Sequence, residues 1–554
     1  MKKFNEIKSR DKLADFLDIP LKKLTYILYV KKTENYYITF EIPKKNGEFR
    51  QINAPKRDLK EVQSKLADVL WRYHKEYIKD NNIQMNVSHA FEKKKGIITN
   101  AIIHRNKRYV LNMDLENYFD SFHFGRVRGF FENNREFNLP IEVATVIAQL
   151  ACYKGCLPQG APSSPIITNL ICNILDMRLI KISSKYKLDY TRYADDMTFS
   201  TNDSRFIDSK DTFIKDVTKE VKRLGFMINS GKTRLAYKDS RQEVTGLVVN
   251  KKVNVNREYY KKTRAMADAL YMKGEFQIDN CEGTINQLEG RFSFINQLDY
   301  YNNKNDCDIK HNIRNLNSRE QQYQKFLFYK YFFANSKPLI ITEGKTDILY
   351  LKAALKKSYS KYPQLITKNG DKFEYNISFL PRTKRLEYFL NIQQDGADTM
   401  KNIYNLYHGK NQYPNIHKFF KEKSYSMPKN PVILVFDNEQ VTDRPLKKFI
   451  QYANIAPKPL KGRYNILDNL YLITNPLFKG KKECEIEDLF DDSVLSTTIG
   501  GKAFSRDKDA DNSKYYGKAI FSQYIMRNYL TIDFSEFEPM LDDLNVIISD
   551  YKKK

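Results

Sequence analysis

Acidic residues are in short supply. The 554-residue chain carries 67 Asp and Glu against 93 Lys and Arg, a formal net charge of +26. The imbalance points to a polyanionic partner, because phosphates neutralised by Lys and Arg release condensed counterions. No apolar run is long enough to cross a bilayer, and the opening MKKFNEIKSRDKLADFLDIP is charged and periodic, unlike a signal peptide. The expectation is therefore no membrane partner and a cytoplasmic location. Cys152, Cys156, Cys172, Cys281, Cys307 and Cys484 include no C-x-x-C pair. That excludes a zinc ribbon or a disulfide frame and fits reduced thiols, with Cys152 and Cys156 as packing residues. Internal repeats and long low-complexity tracts are missing too. So is a P-loop: Gly231-Lys232-Thr233 and Lys345-Thr346 have Phe226 and Leu339 where the leading glycine belongs.

Aromatics, by contrast, are plentiful. The 38 Tyr and 35 Phe interleave with Lys and Arg, a combination suited to stacking on unpaired bases. The length suggests about three or four packing units. The most informative stretch is Tyr193-Ala194-Asp195-Asp196. Leu188, Tyr190 and Tyr193 precede the acids and Met197 and Phe199 follow, so the pattern predicts a β-hairpin with paired carboxylates at its turn. Upstream, the apolar run Tyr109–Met113 ends at Asp114, followed by Leu115, Glu116, Asn117, Tyr118 and Phe119. Between the two lies Leu157-Pro158-Gln159-Gly160-Ala161-Pro162-Ser163-Ser164-Pro165, a stiff turn before a helical run from Ile166 to Leu175. Carboxylates are the hard oxygen ligands that Mg²⁺ prefers.

The order D-L-x-x-Y-F, L-P-Q-G-x-P-x-S-P, Y-A-D-D resembles the palm of reverse transcriptases. Asn100-Ala101-Ile102-Ile103-His104 and Val244-Thr245-Gly246 match the N-A-x-x-H and V-T-G signatures of the retron subgroup. The resemblance covers roughly residues 1–320 and implies a right-hand polymerase of α+β class. N-terminal helices and fingers would occupy 1–104, the palm 105–250 and a basic helical thumb 251–330. Helices are expected over 9–30, with Ser9 as N-cap and Leu13, Phe16, Leu17 and Leu21 on one face. A hairpin is expected over 36–55, turning at 44–47. Its Arg50 and Lys45 are cations placed to meet an incoming triphosphate, with a solvated hairpin edge as the near-equal alternative for Lys45. In the resemblance, Asp114, Asp195 and Asp196 hold two Mg²⁺ ions. Phe119 is the steric gate against ribonucleotides, Gln159 lines the nucleotide pocket, and Lys232 follows the YADD hairpin where it could protonate pyrophosphate. Asn100, His104, Val244, Thr245 and Gly246 would serve recognition of the RNA. Tyr259, Tyr260, Lys261, Lys262 and Arg264 would help the thumb grip a duplex.

From Phe326 the pattern changes. Pro338–Thr342 reads as a buried strand followed by Glu343-Gly344-Lys345-Thr346-Asp347, with a helix from Leu349 to Leu355. Val432–Phe436 is a second apolar strand, ending at Asp437-Asn438-Glu439. Strands joined by helical crossovers predict a parallel sheet with its ligand site at the strand carboxyl ends. The acids resemble the E-G-x-x-D and D-x-D sites of the TOPRIM fold, with Glu439 in place of the last Asp. That implies an α/β TOPRIM domain over 331–554. Asp347, Asp437 and Glu439 would hold one or more Mg²⁺ ions, and Glu343 would be the general acid–base. Glu485, Glu487, Asp488, Lys514 and Lys518 resemble less fixed elements of TOPRIM nucleases, with solvated surface as the equal alternative.

The expected whole is a retron reverse transcriptase fused to a TOPRIM nuclease or toxin and acting in bacterial defence against phage. Its partners would be dNTPs, a cognate non-coding RNA and the branched RNA–DNA hybrid (msDNA) made from it, with a homo-oligomer left open. The alternatives are a reverse transcriptase with a non-catalytic TOPRIM scaffold, or an abortive-infection-type polymerase. A group II intron protein would need a maturase or endonuclease tail that the sequence does not display.

Overall fold

The computed structural model describes residues 4–43, 47–83, 87–305, 312–393, 398–424, 426–455, 462–477, 480–507 and 509–553. Lys45 and Cys307 lie outside them. The chain forms two compact units, one up to Arg257 and one from Glu258 onward.

The first unit is built on a four-stranded antiparallel sheet, reached after a separate hairpin. The hairpin pairs β1 (Tyr37–Pro43) with β2 (Phe49–Pro55). In the sheet, β3 (Tyr109–Asp114), β4 (Asp189–Tyr193), β5 (Asp196–Thr201) and β6 (Arg234–Tyr237) take the order β4-β5-β3-β6. Central β3 is buried along almost its whole length, which is why it reads as a continuous apolar run rather than an alternating one. Helix Ser164–Lys185 packs beneath; it carries buried residues all round and has a proline in its first turn, where the lost N–H is harmless. Helix Arg57–Asp80 is amphipathic instead, burying Leu59, Val62, Leu66 and Leu70 at helical spacing. At the N-terminus Leu13 and Leu17 are buried as expected, but Leu21 is exposed, because Pro20 starts a new short helix, Leu21–Thr25, that buries Leu24 instead. A last small hairpin joins β7 (Glu243–Val244) to β8 (Leu247–Val248).

In the second unit, helices Arg257–Lys273, Ile285–Asn305 and Ser318–Phe328 come first, with a two-residue hairpin of β9 (Gln277–Ile278) and β10 (Cys281–Glu282) between the first two. Tyr271, Phe292, Tyr323 and Phe326 from these helices share one apolar core with strand residues such as Leu339 and Leu434, so the core runs on without a break at residue 330. The main sheet contains β11 (Leu339–Thr342), β14 (Ser378–Phe379), β15 (Val432–Phe436), β16 (Tyr464–Leu467) and β17 (Leu470–Thr474), in the order β14-β11-β15-β17-β16. All neighbours are parallel except β16 with β17. The side hairpin β12 (Ile366–Asn369) with β13 (Lys372–Tyr375), and the short pair β18 (Ala503–Phe504) with β19 (Tyr515–Tyr516), stand apart from it. Along β15, Val432, Leu434 and Phe436 enter one core while Ile433 and Val435 enter the other. A sheet covered on both faces needs such unbroken apolar runs. Among the described residues no helix is long and apolar enough to cross a membrane.

Candidate functional site

The first unit's acids converge through strand register. Asp114, the last residue of β3, lies opposite Asp196, the first of β5. The turn between β4 and β5 holds Asp195, whose carbonyl accepts from Leu115 N at 3.0 Å. Ala194 in that turn adopts φ 57°, a left-handed conformation that a Cβ disfavours and that the surrounding structure must enforce. Asp114 is buried, Asp195 half-buried and Asp196 exposed as a residue, although its carboxyl sits close among neighbouring groups. Burial, reinforced by the Asp195 and Asp114 charges, pushes the Asp196 carboxyl up to about 7. Burial also raises Asp195. A cation stands at their side: Lys232 Nζ donates to Asp114 Oδ2 at 3.1 Å, and that bond raises the lysine in turn.

A cleft of about 880 Å³ opens beside these acids, lined among others by Arg50, Phe119, Gln159 and Lys232. The sequence-predicted nucleotide residues are thus brought together. Gly160 explains part of the assembly. It has φ 116°, and a Cβ there would come within 2.9 Å of Asn53 O. The loop can therefore lie on β2, where Asn53 N donates to Gln159 O at 2.8 Å.

Sequence reasoning missed what holds the hairpin. Arg192, fully buried in β4, forks onto Asp176 with bonds of 2.8 and 2.7 Å. A third donor reaches Ala194 O at 3.1 Å, in the strained turn itself. Tyr190 OH donates to the same Asp176 at 2.8 Å. The available signal was an arginine at an inward-facing strand position and an aspartate inside an apolar helix.

Of the residues expected to recognise RNA, three lie inside the first unit and two in a surface turn. Asn100, His104 and Val244 are buried, so none of them can touch RNA from where it stands. His104 instead bridges both strands of the acidic hairpin: Nε2 meets Thr191 Oγ1 and Nδ1 meets Ser200 Oγ, each at 2.7 Å. Burial, aided by Lys107, lowers its pKa to about 3, so the ring is neutral. Thr245 and Gly246 form the two-residue turn of the β7–β8 hairpin with φ 47° and 79°, the positive pair that such tight turns require. Thr245 Oγ1 donates to Ile97 O at 3.4 Å, on the helix that carries Asn100. Among the described residues, neither polar atom of the Asn100 side chain has a hydrogen-bond partner.

The second unit has its own acidic cluster. Glu343 and Asp437 follow the adjacent parallel strands β11 and β15, and Asp437 N donates to Glu343 Oε1 at 3.1 Å. Asp437 Oδ1 accepts from Asn475 Nδ2 at 2.6 Å and Ile486 N at 2.9 Å. Asp347 receives Gly344 N at 2.8 Å. Glu439 is buried, with Arg444 Nε at 3.7 Å. Burial and mutual repulsion raise Glu343 and Asp437, and burial with the Glu487 charge pushes Asp347 up to about 6. Lys518 joins the cluster, at 3.0 Å from Glu487 and 3.4 Å from Glu485. Arg506 bridges Asp488 and Glu485 at the edge. Lys514 is exposed.

Among the described residues, no group of three or more Asp, Glu, His or Cys side chains is arranged so that it could hold a metal ion as it stands. The donor chemistry nevertheless fits Mg²⁺ at the first unit's acids. Hard carboxylate oxygens are crowded there, and the raised Asp195 and Asp196 mark a deficit of positive charge.

The family model described as reverse transcriptase (RNA-dependent DNA polymerase) matches residues 42–255. The retron Ec86 reverse transcriptase of Escherichia coli is 34% identical over 264 residues, 47% of this chain and 78% of that protein. This chain is a retron reverse transcriptase. The retron Mx162 and Mx65 reverse transcriptases of Myxococcus xanthus are each 30% identical, and the chain spans 64% and 61% of their lengths. The family makes the first unit an RNA-directed DNA polymerase. An apo telomerase structure from Candida tropicalis aligns at 12% identity over 54% of this chain and 61% of that one, with a TM-score of 0.30, too loose a likeness to carry weight.

Proposed function

We propose that this retron reverse transcriptase copies a structured non-coding RNA that is both template and primer. Synthesis starts at a guanosine 2′-hydroxyl and leaves a branched RNA–DNA hybrid. The meeting of Asp114, Asp195 and Asp196 at one sheet end, beside a nucleotide-sized cleft, carries the reading. These carboxylates would hold two Mg²⁺ ions, which supply activation of the primer hydroxyl and neutralisation of the leaving pyrophosphate. Lys232 holds a proton at Nζ, poised to pass it to that pyrophosphate. The Phe119 ring occupies the cleft wall and would exclude a ribose 2′-hydroxyl, while Arg50 and Gln159 orient the triphosphate and base. The test is to sequence the nucleic acid that copurifies. A single RNA joined 2′–5′ to DNA is expected; unrelated cellular RNA would overturn the reading.

For the second unit we propose a TOPRIM domain with phosphodiesterase activity, acting in defence against phage and restrained by the hybrid. Its support is the placing of Glu343 and Asp437 at the carboxyl ends of neighbouring parallel strands, where α/β folds keep their sites. Asp347, Asp437 and Glu439 would hold Mg²⁺, and Glu343, with its raised pKa, can keep a proton near neutral pH for general acid–base work. Expression without the cognate RNA should be toxic, and Glu343→Gln should relieve the toxicity while reverse transcription continues. Full phage protection by E343Q would replace the nuclease with a non-catalytic scaffold.

A further inference from the structure

A second surface of the C-terminal unit, outside the acidic cluster, combines ammonium groups and aromatic rings in a regular way. Helix Asp347–Lys357 carries Lys352 and Lys356 four residues apart, hence on one face. Like charges at that spacing repel each other. The β12–β13 hairpin adds a third lysine. Lys368 stands opposite Phe373 in the register, and Ile366 opposite Tyr375. One face of the hairpin therefore carries Lys368, Phe373 and Tyr375, the two rings half-buried against the unit's second apolar core, while Glu374 points to the other face, where it pairs with Lys337 at 3.9 Å.

Each of the three lysines lies over two rings. Lys352 Nζ is 5.6 Å from the Tyr375 ring centre and 5.2 Å from that of Phe379. Lys356 Nζ is 5.4 Å from Phe373 and 5.3 Å from Tyr529. Lys368 Nζ is 5.4 Å from Tyr359 and 5.5 Å from Phe373. The rings touch one another in series, Tyr359 to Phe373 at 5.7 Å and Phe373 to Tyr529 at 6.2 Å. Among the described residues none of these three ammoniums pairs with a carboxylate, whereas nearby Lys361 meets Glu538 at 2.7 Å. Tyr359, 37% exposed, stands at the outer end of the series.

Unpaired positive charge alternating with rings matches what a single nucleic acid strand offers, a phosphate at each step and a base between. A folded acidic protein would supply the charge but not the repeating flat faces. We propose that this surface binds an unpaired RNA strand, with exposed Tyr359 stacking on a base, the half-buried rings backing the lysines, and Lys352, Lys356 and Lys368 meeting phosphates. RNA is the strand that an RNA-directed polymerase always has at hand. The helix that carries two of the lysines begins at Asp347. Lys352 and Lys356 stand about 8 and 14 Å along it, so a strand laid there runs toward the acidic cluster. The docking itself does not depend on that cluster being a nuclease.

The test is ultraviolet cross-linking of the full chain to oligouridine RNA carrying 4-thiouridine, with an oligothymidine DNA carrying the matching thio-base run in parallel, followed by peptide mapping. Cross-links to peptides containing Tyr359 or Phe373 are expected with the RNA. The K352A/K356A/K368A variant should lose most of them while keeping those within residues 1–257. The salt dependence of binding to this surface should flatten by about 2 in the log–log slope, at about 0.7 for each single-strand phosphate that is no longer neutralised. Cross-links confined to residues 1–257 would overturn the inference without any variant, as would patch cross-links that the triple substitution leaves unchanged. Patch cross-links with the DNA alone would overturn the assignment to RNA.

Discussion

The two acidic clusters of this chain are assembled in opposite ways. In the antiparallel sheet of the first unit, Asp195 and Asp196 are chain neighbours and Asp114 joins them by register. In the parallel sheet of the second, Glu343, Asp437 and Glu487 come from distant segments that meet only at strand ends. The first cluster faces a cleft and has Lys232 as its nearby cation. The second is sunk among backbone N–H donors and side-chain amides, with Lys518, Arg506 and Arg444 around it. An open, underneutralised cluster is suited to taking its missing charge from a passing ligand. The buried one is short of positive charge as well, since Glu343 and Asp437 are both raised, and it differs in being enclosed by the fold.

The largest effect that tests this contrast is chemical. D195N/D196N should reduce DNA synthesis by on the order of a thousandfold or more, since several kcal/mol of transition-state stabilisation depend on the metal ligands. Thermal melting should hold or rise, because two mutually repelling carboxylates are gone. A fall in melting temperature would show that the acids serve structure. Next in size is the support beneath the turn. R192M should destabilise the hairpin by about 3–5 kcal/mol by leaving Asp176 buried and unpaired, and R192M/D176L should recover most of that loss. Hydrogen exchange over residues 189–201 reads both variants, and equal loss in single and double would show that shape rather than charge matters there.

His104 gives a smaller, pH-dependent effect. Its folded pKa lies near 3, below the ordinary value of 6.5, so the unfolded chain binds the extra proton first. Its contribution is whole above pH 6.5 and shrinks as pH falls toward 3. Between pH 7 and pH 5 the first unit should lose about 2 kcal/mol through this ring, and H104N should flatten that part of the pH–stability curve. Smallest is Phe119→Ala, which should relax discrimination between deoxy- and ribonucleotides by about tenfold, read as the ratio of kcat/KM for matched substrates. Unchanged selectivity would place the Phe119 ring in the core packing instead of at the nucleotide.

Short-range features were legible in the sequence. The hairpin at Tyr193–Asp196, the strand ending at Asp114 and the apolar runs before Glu343 and Asp437 follow from local pattern, because a strand's period and a turn's chemistry lie within a few residues. The retron signatures were legible as motifs but not as contacts. Asn100 and His104 look like recognition residues in one dimension, yet the fold buries both. The sequence by itself determined which residues could be strands, turns and acids. Tertiary structure alone decided that His104 would clasp the two strands of the acidic hairpin, that Arg192 would find Asp176, and that Lys518 would reach Glu487 while Lys514 stayed in solvent. Those choices join residues far apart in the chain, and burial sets their energies: a charge or a ring nitrogen without its partner costs little in water and a great deal inside a core.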